Sequence, residues 1–530
     1  MTTTSTGNGE WNSVVGAYNI SDDVIINHDV TYDDHIDMTG SLTINSGKTL
    51  GEGAASKNMT VDGDVTVNGV LDLDRSSSDG NATFDSLTNN GTVHAPSHGT
   101  ITILSERSNG RCVDMVGTYN HNNGTLIIKT PADTDLRWPS NDDIYNLTIN
   151  HASAIVRPTG DMDGSSNGKI AGALTITAGT FNTLDSGGST SHELVVTGNT
   201  TLGAGAGAGG ADEATLTCNA STVSLGSTYS SDYGLYVKRG GTFVGGTGAH
   251  TMGSISMEDY ATAKLTLTTH ASGTTLNAGD YGSDYIVAVG ADSTITSTNS
   301  LLVLATSKTE ATYNLNLHDH FNNLTVNSSG KKFYIQQATT LAGNLTITAG
   351  DIDTTGSNHA VTVTGEFSNA GTFTSNSSTV TVRNLVITGG TFNSPDGSGM
   401  LNITGEGNSG YGDGYAFRRV AGAFVDNTGT VTFKTPTTTQ IRMGTPNQDF
   451  YNVIIDESSA GGLFYVNDEG FTVTNDLTLT DGDFDTGLGT TAPLIDIQGD
   501  LTIGNNNTFG GITATQTGDI SIGSVDIGAS

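Results

Sequence analysis

The chain has 530 residues, with 71 Gly but only 8 Pro, and its 54 acidic side chains outweigh 20 basic ones to give a formal net charge of −34. That charge excludes a protein built to grip nucleic-acid phosphates, and two cysteines, Cys112 and Cys218, are too few for a disulfide framework and read as buried thiols. No run of about 18 apolar residues is present to cross a membrane as a helix, and no 12-residue stretch carries an amphipathic-helix period.

The first 35 residues differ from the rest. Trp11-Asn12 precedes Ser21-Asp-Asp-Val-Ile-Ile26. An early, isolated Trp reads as a lid over the open end of a stacked core, because a terminal repeat has no neighbour to cover it. A binding role for Trp11 is the lesser alternative. Residues 1–35 are therefore expected to form a cap and attachment region, with a repetitive body over 36–530.

The body begins with Gly40-Ser-Leu-Thr-Ile-Asn45 and Gly47-Lys-Thr-Leu50. Alternating apolar and polar residues bury one face of a strand and wet the other. A cassette follows: Gly124-Thr-Leu-Ile-Ile-Lys-Thr-Pro131, then Leu136-Arg137, then Tyr145-Asn146. It returns as Gly429-Thr-Val-Thr-Phe-Lys-Thr-Pro436, Ile441-Arg442 and Tyr451-Asn452, in register to one residue. An eroded third copy runs from Asn299 to Asn327. A shorter word recurs as Leu174-Thr-Ile-Thr-Ala-Gly-Thr-Phe-Asn182, Leu345-Thr-Ile-Thr-Ala-Gly-Asp-Ile-Asp353, Leu385-Val-Ile-Thr-Gly-Gly-Thr-Phe-Asn393 and Leu477-Thr-Leu-Thr-Asp-Gly-Asp-Phe-Asp485. A third word reads Gly117-Thr-Tyr119, Gly241-Thr-Phe243, Gly371-Thr-Phe373 and Gly422-Ala-Phe424.

Many short strands at even spacing, with no helix between them, predict an all-β solenoid whose rungs bury their apolar faces only against neighbours. Three divergent modules are expected, over about 92–225, 226–400 and 401–530. With aromatic residues at 6%, the expected core is layered Leu, Ile and Val. Rungs of about 20–25 residues stacked ~4.8 Å apart predict an elongated rod on the order of 100 Å. Asn146, Asn323 and Asn452 hold one place in the repeat and are expected to hydrogen-bond from rung to rung. Gly203-Ala-Gly-Ala-Gly-Ala-Gly-Gly210 reads as a loop bulging from one corner.

Chemical signatures are sparse. Asp is a corner residue, so carboxylate pairs carry little information by themselves. Asp481, Asp483 and Asp485 alternate as candidate metal ligands, and Asp161-Met-Asp-Gly164 resembles the start of a calcium loop. The twelfth-position Glu that such a loop needs is Ala492 in the first case. Cofactors are therefore expected to be none, with calcium the alternative. His318 and His320 are placed on one strand face as a metal pair lacking a third ligand. Tyr229, Tyr233 and Tyr236 form the densest aromatic patch and are the candidates for binding glycan. Lys238-Arg239 and Arg418-Arg419 precede the Gly-x-aromatic word in two modules and are expected to pair with carboxylates. No catalytic residue is assigned.

The words Asn146-Leu-Thr-Ile-Asn150, Gly117-Thr-Tyr-Asn-His-Asn-Asn-Gly-Thr-Leu126 and Asp22-Asp-Val-Ile-Ile26 resemble a broad group of parallel β-helix repeat proteins. The group includes phage fibres and tailspikes and bacterial surface adhesins. The resemblance implies a right-handed parallel β-helix in a virion or extracellular setting and transfers no catalytic residue. The chain opens Met1-Thr-Thr-Thr-Ser without a basic and apolar leader, and no surface anchor is read. That favours a structural virion protein of a phage over an exported adhesin. The expectation is a tail fibre, tailspike or capsid-attached fibre, homotrimeric, docking to other virion proteins through its N-terminal region. It would bind host-surface polysaccharide without inserting into a membrane. A polysaccharide-degrading tailspike is the remaining alternative, since inverting hydrolysis needs two carboxylates about 6.5–9.5 Å apart.

Overall fold

The computed structural model describes residues 1–53, 56–74, 80–138, 142–164, 168–205, 213–226, 234–277, 285–306, 308, 311–407, 414–436, 439–445, 448–457, 463–466, 470–485, 495–504 and 520–527. Parallel strands stack into β-solenoid turns, about 19 in all, and helix makes up 1% of the chain. The turns fall into two compact units, residues 1–282 with 289–296, and residues 283–288 with 297–530.

In the first unit, period-two patterning becomes columns. Ile36, Met59, Ala82, Ile101, Leu126, Leu147 and Leu174 follow one another across adjacent strands. Met38, Val61, Phe84, Ile103, Ile128, Ile149 and Ile176 form a second column two residues on. All are buried. Each buried aliphatic side chain stabilises the stack by roughly 1.5–3 kcal/mol, and none could do so in an isolated rung. A six-stranded parallel sheet runs through Gly9–Glu10, Val30–Tyr32, Thr49–Glu52, Val70–Asp72, Thr92–His94 and Thr118–Asn120.

At the start of the chain, Thr2–Thr4 pairs with Asp23–Ile26. The short helix Trp11–Val14 packs against the strand Val30–Tyr32, with Trp11 wholly buried. The Trp11 indole donates to the Ala17 carbonyl at 3.1 Å and stacks on Tyr18, ring centroids 6.4 Å apart.

The glycine of the Gly-x-aromatic word is a packing requirement. A Cβ on Gly371 would lie 2.2 Å from the Gly350 carbonyl oxygen, and one on Gly117 would lie 2.1 Å from that of Gly91. The rungs approach too closely there for any side chain.

The aromatic residue of the same word builds a feature that the expected aliphatic core lacks. In the second unit, Phe373, Phe392 and Phe424 occupy successive rungs. Phe367 closes edge to face on Phe373 at 4.9 Å, and Phe417 and Phe450 close on Phe424 at 5.3 and 5.2 Å. Among the described residues of the second unit, these rings form a continuous aromatic spine.

Asparagines hold the corners. The Asn146 side-chain oxygen accepts from the Ala173 amide at 2.9 Å, Asn323 from Asn344 at 2.9 Å, and Asn452 from Asp476 at 3.3 Å. Asn344 passes the pattern on by accepting from Glu366 at 2.9 Å. The ladder runs through next-rung backbone amides. Buried hydroxyls add a second device: Ser221 donates to Thr183, and Ser378 to Thr354, each at 2.7 Å. Thr183 and Thr354 directly follow the repeated words ending at Asn182 and Asp353.

Candidate ligand-binding surface

The outward positions of the first unit form a hydroxyl row. Thr60, Thr83 and Thr102 align across three strands, Ile127 interrupts, and Thr148, Thr175 and Thr201 continue to Tyr236. The row exists because six of these strands keep Thr between two buried residues, and the parallel register stacks like positions.

Tyr236 begins a denser patch. Its hydroxyl donates to Glu258 Oε1 at 3.3 Å, while Glu258 Oε2 accepts from the Arg239 amide at 2.9 Å. The Lys238 ammonium sits 5.0 Å from the Tyr236 ring centroid, and the Arg239 guanidinium 5.5 Å from that of the exposed Tyr260. Lys238 and Arg239 therefore meet rings, and among the described residues neither forms the expected ion pair. Tyr229 and Tyr233, the other two aromatic candidates, lie outside the described residues. Glu258 and Tyr260 were not legible as partners, being a full rung further along the chain.

A cleft of about 360 Å³ opens elsewhere on this unit. Val116, Arg137, Trp138, Pro158, Thr159 and Asp161 line it. Three strands place them: Arg111–Met115, Asp133–Arg137 and Asn146–Pro158. Trp138 is fixed on two sides, its indole donating to the Asp142 carbonyl at 2.6 Å and its ring meeting Tyr119 edge to face at 4.9 Å. Asp114 accepts from Arg111 at 2.9 Å and from Arg137 at 3.3 Å. Asp161 meets the His192 ring nitrogen at 3.3 Å and the Glu193 amide at 3.0 Å. Asp161, whose segment resembles the start of a calcium loop, is thus brought to a cleft with an arginine and an indole.

The cassette's second copy is built differently. Val116 is matched by Val420, and both are exposed. Asp114 stands opposite Arg137 in the first unit, whereas Arg418 stands opposite Arg442 in the second. At the place of Met115 is Arg419, buried, donating to the Met443 carbonyl at 2.5 Å and to that of Gly422 at 2.8 Å. Arg418 lies over the Tyr415 ring at 5.0 Å.

The other candidates are dispersed. Asp481 is exposed at the end of the strand Leu477–Asp481, its carboxylate accepting from the Gly482 amide at 3.0 Å. Asp483 and Asp485 belong to the next strand, and their side chains lie outside the described residues. Among the described residues, no group of three or more His, Cys, Asp or Glu is placed to hold a metal ion. His318 and His320, with ring centroids 5.9 Å apart, are not on a strand face. His318 has a φ of 50° and belongs to a turn, which corrects the strand reading. Cys112 and Cys218 are free thiols and buried. Among the described residues no helix is long and apolar enough to cross a membrane. Comparison with protein families, curated proteins and solved structures found no match.

Proposed function

We infer that this chain is a structural β-solenoid of a phage particle, a tail fibre, tailspike or capsid-attached fibre, that engages polysaccharide on the host surface. The observation that supports this reading is the hydroxyl row from Thr60 to Thr201, ending at Tyr236. Hydroxyls repeated at rung spacing on a stiff sheet, with an aromatic ring at the end, suit a long polymer of hydroxyls and C–H faces. The acidic surface suits a partner that is not a polyanion. The proposed assembly is a homotrimer held to other virion proteins through residues 1–35.

Immunogold labelling of the source material tests the setting. Label on tails or capsids is the expected result. Label on cell envelopes beside bare particles would overturn it in favour of a surface adhesin. Co-sedimentation of the full chain with host-surface polysaccharide tests the partner, and release of reducing ends in that mixture would identify a depolymerase instead.

A further inference from the structure

We propose that the Trp138 cleft is a site for one or two units of a neutral saccharide, held between Arg137 and Asp161. The proposal rests on the glycan reading above and locates it.

Three properties of the cleft agree. First, its volume of about 360 Å³ falls in the range of small-molecule sites. Second, its walls combine an apolar side with two charged groups of opposite sign. Val116 is 54% exposed, high for an aliphatic side chain in a chain whose outward positions are mostly hydroxyls, amides and carboxylates. Trp138, 7% exposed, and the buried Pro158 line the cleft as well. A pyranose has the matching shape, a C–H face to cover apolar atoms and a rim of hydroxyls that both donate and accept. Third, the charged groups remain reachable. The Arg137 and Asp161 side chains are 45% and 46% exposed, although Arg137 already holds Asp114 and Asp161 already holds His192 and the Glu193 amide. A guanidinium donates to sugar oxygens and a carboxylate accepts from sugar hydroxyls. One of each sign favours a ligand carrying no charge of its own.

The site is also preorganised. The Asp142 carbonyl and Tyr119 fix the indole, and Asp114, braced by Arg111, steadies Arg137. Little side-chain freedom remains to be lost on binding. The second cassette copy supplies an internal contrast, because Arg419 and Met443 replace Met115 and Trp138 there.

Only two Trp residues occur, so the full chain carrying Trp11→Phe reports from Trp138 alone. The probes are maltohexaose, cellohexaose and mannohexaose, with hexagalacturonate as the acidic comparison. The expected result is a saturable change in Trp138 emission with at least one neutral hexasaccharide, with the half-saturation point raised tenfold or more by Arg137→Ala. Hydrogen exchange on the unmodified chain guards against a folding defect in the Trp11 variant. The same sugar should slow exchange at residues 136–138 and 159–162.

Three outcomes overturn the proposal. Emission and exchange unchanged by all four probes would remove the site. Tighter binding of hexagalacturonate than of any neutral sugar would reverse its charge preference. Co-sedimentation with host polysaccharide that survives Arg137→Ala unchanged, with Trp138 silent, would place binding elsewhere and leave the glycan reading standing. Loss of co-sedimentation by the unmodified chain would instead sink the glycan reading itself.

Discussion

Phe373 and Phe392 stack nearly face to face on adjacent rungs, with ring centroids 5.2 Å apart and planes 21° apart. Phe424 continues the pile at 5.8 Å and 7°. Removing the middle ring leaves a void flanked by rigid neighbours. Phe392→Ala should destabilise the second unit by about 3–5 kcal/mol. Repeat arrays do not unfold as one cooperative block, so the measurement is local hydrogen exchange. Protection should fall around 367–393 and 417–425 and hold in the first unit.

The glycine beside this spine is equally constrained. Gly371→Ala sets a Cβ against a backbone carbonyl of the rung before it, and backbone cannot swing aside as a flexible side chain can. The expected destabilisation is about 3 kcal/mol. Gly356, which has nothing within 4 Å of an added Cβ, is the control and should tolerate alanine. Equal loss of exchange protection in the two variants would refute the packing argument.

How much of this was legible in the sequence follows from what a linear pattern can hold. The strands were legible, because Leu174-Thr-Ile-Thr fixes which side chains point in and which out. The rung-to-rung bonds of Asn146, Asn323 and Asn452 were legible too, because one repeat position meets one environment. The aromatic spine was visible as a word but not as a stack, since a Gly-x-Phe spacing gives no register between rungs. The Trp138 cleft was invisible, because Pro158, Thr159 and Asp161 reach Trp138 only after a full turn of chain. His318 misled for a local reason: an alternating His pair resembles a strand face unless the backbone between its members turns.

His250 gives the fold a pH dependence. It is 2% exposed, on a strand between Val223–Leu225 and Thr274–Leu276, with Phe243 edge-on at 5.6 Å. Burial pushes its pKa down from 6.5 to about 4; the Gly245 backbone opposes the shift and nearby His270 adds to it. The folded state thus prefers the neutral ring, and the unfolded chain takes up a proton first as pH falls. The stability from this group is complete above about pH 6.5 and is lost progressively down to about pH 4. At about 1.4 kcal/mol per pH unit the loss approaches about 3 kcal/mol. Exchange protection at 223–225 and 274–276 should fall between pH 7 and pH 4, and His250→Leu should flatten that profile. A variant as acid-sensitive as the parent would assign the effect to other groups.

Both thiols should be silent in the folded chain. Burial raises the Cys112 pKa to about 12 and raises that of Cys218 as well, so neither offers a thiolate at neutral pH. A thiol reagent should find no reactive cysteine in the native protein and two after denaturation. Rapid native labelling at one site would mean that its rung opens far more readily than its burial implies.

Arg137 separates binding from stability. Its bond to Asp114 is 3.3 Å long and its side chain is nearly half exposed, so water screens the pair. Exposed ion pairs of this kind contribute about 0–1 kcal/mol. Arg111 still holds Asp114 at 2.9 Å when Arg137 is gone, so the carboxylate is not left alone. Arg137→Ala should therefore leave exchange protection of the strands Arg111–Met115 and Asn146–Pro158 within about 1 kcal/mol of the parent. Asp114→Ala differs, because it sets two guanidiniums facing each other across adjacent strands without the anion between them. Its loss of protection should exceed that of Arg137→Ala and shrink in high salt. The opposite order would mean that Arg137 supports the sheet through its aliphatic stem, and a weakened sugar affinity in its alanine variant could then no longer be read as a lost ligand contact.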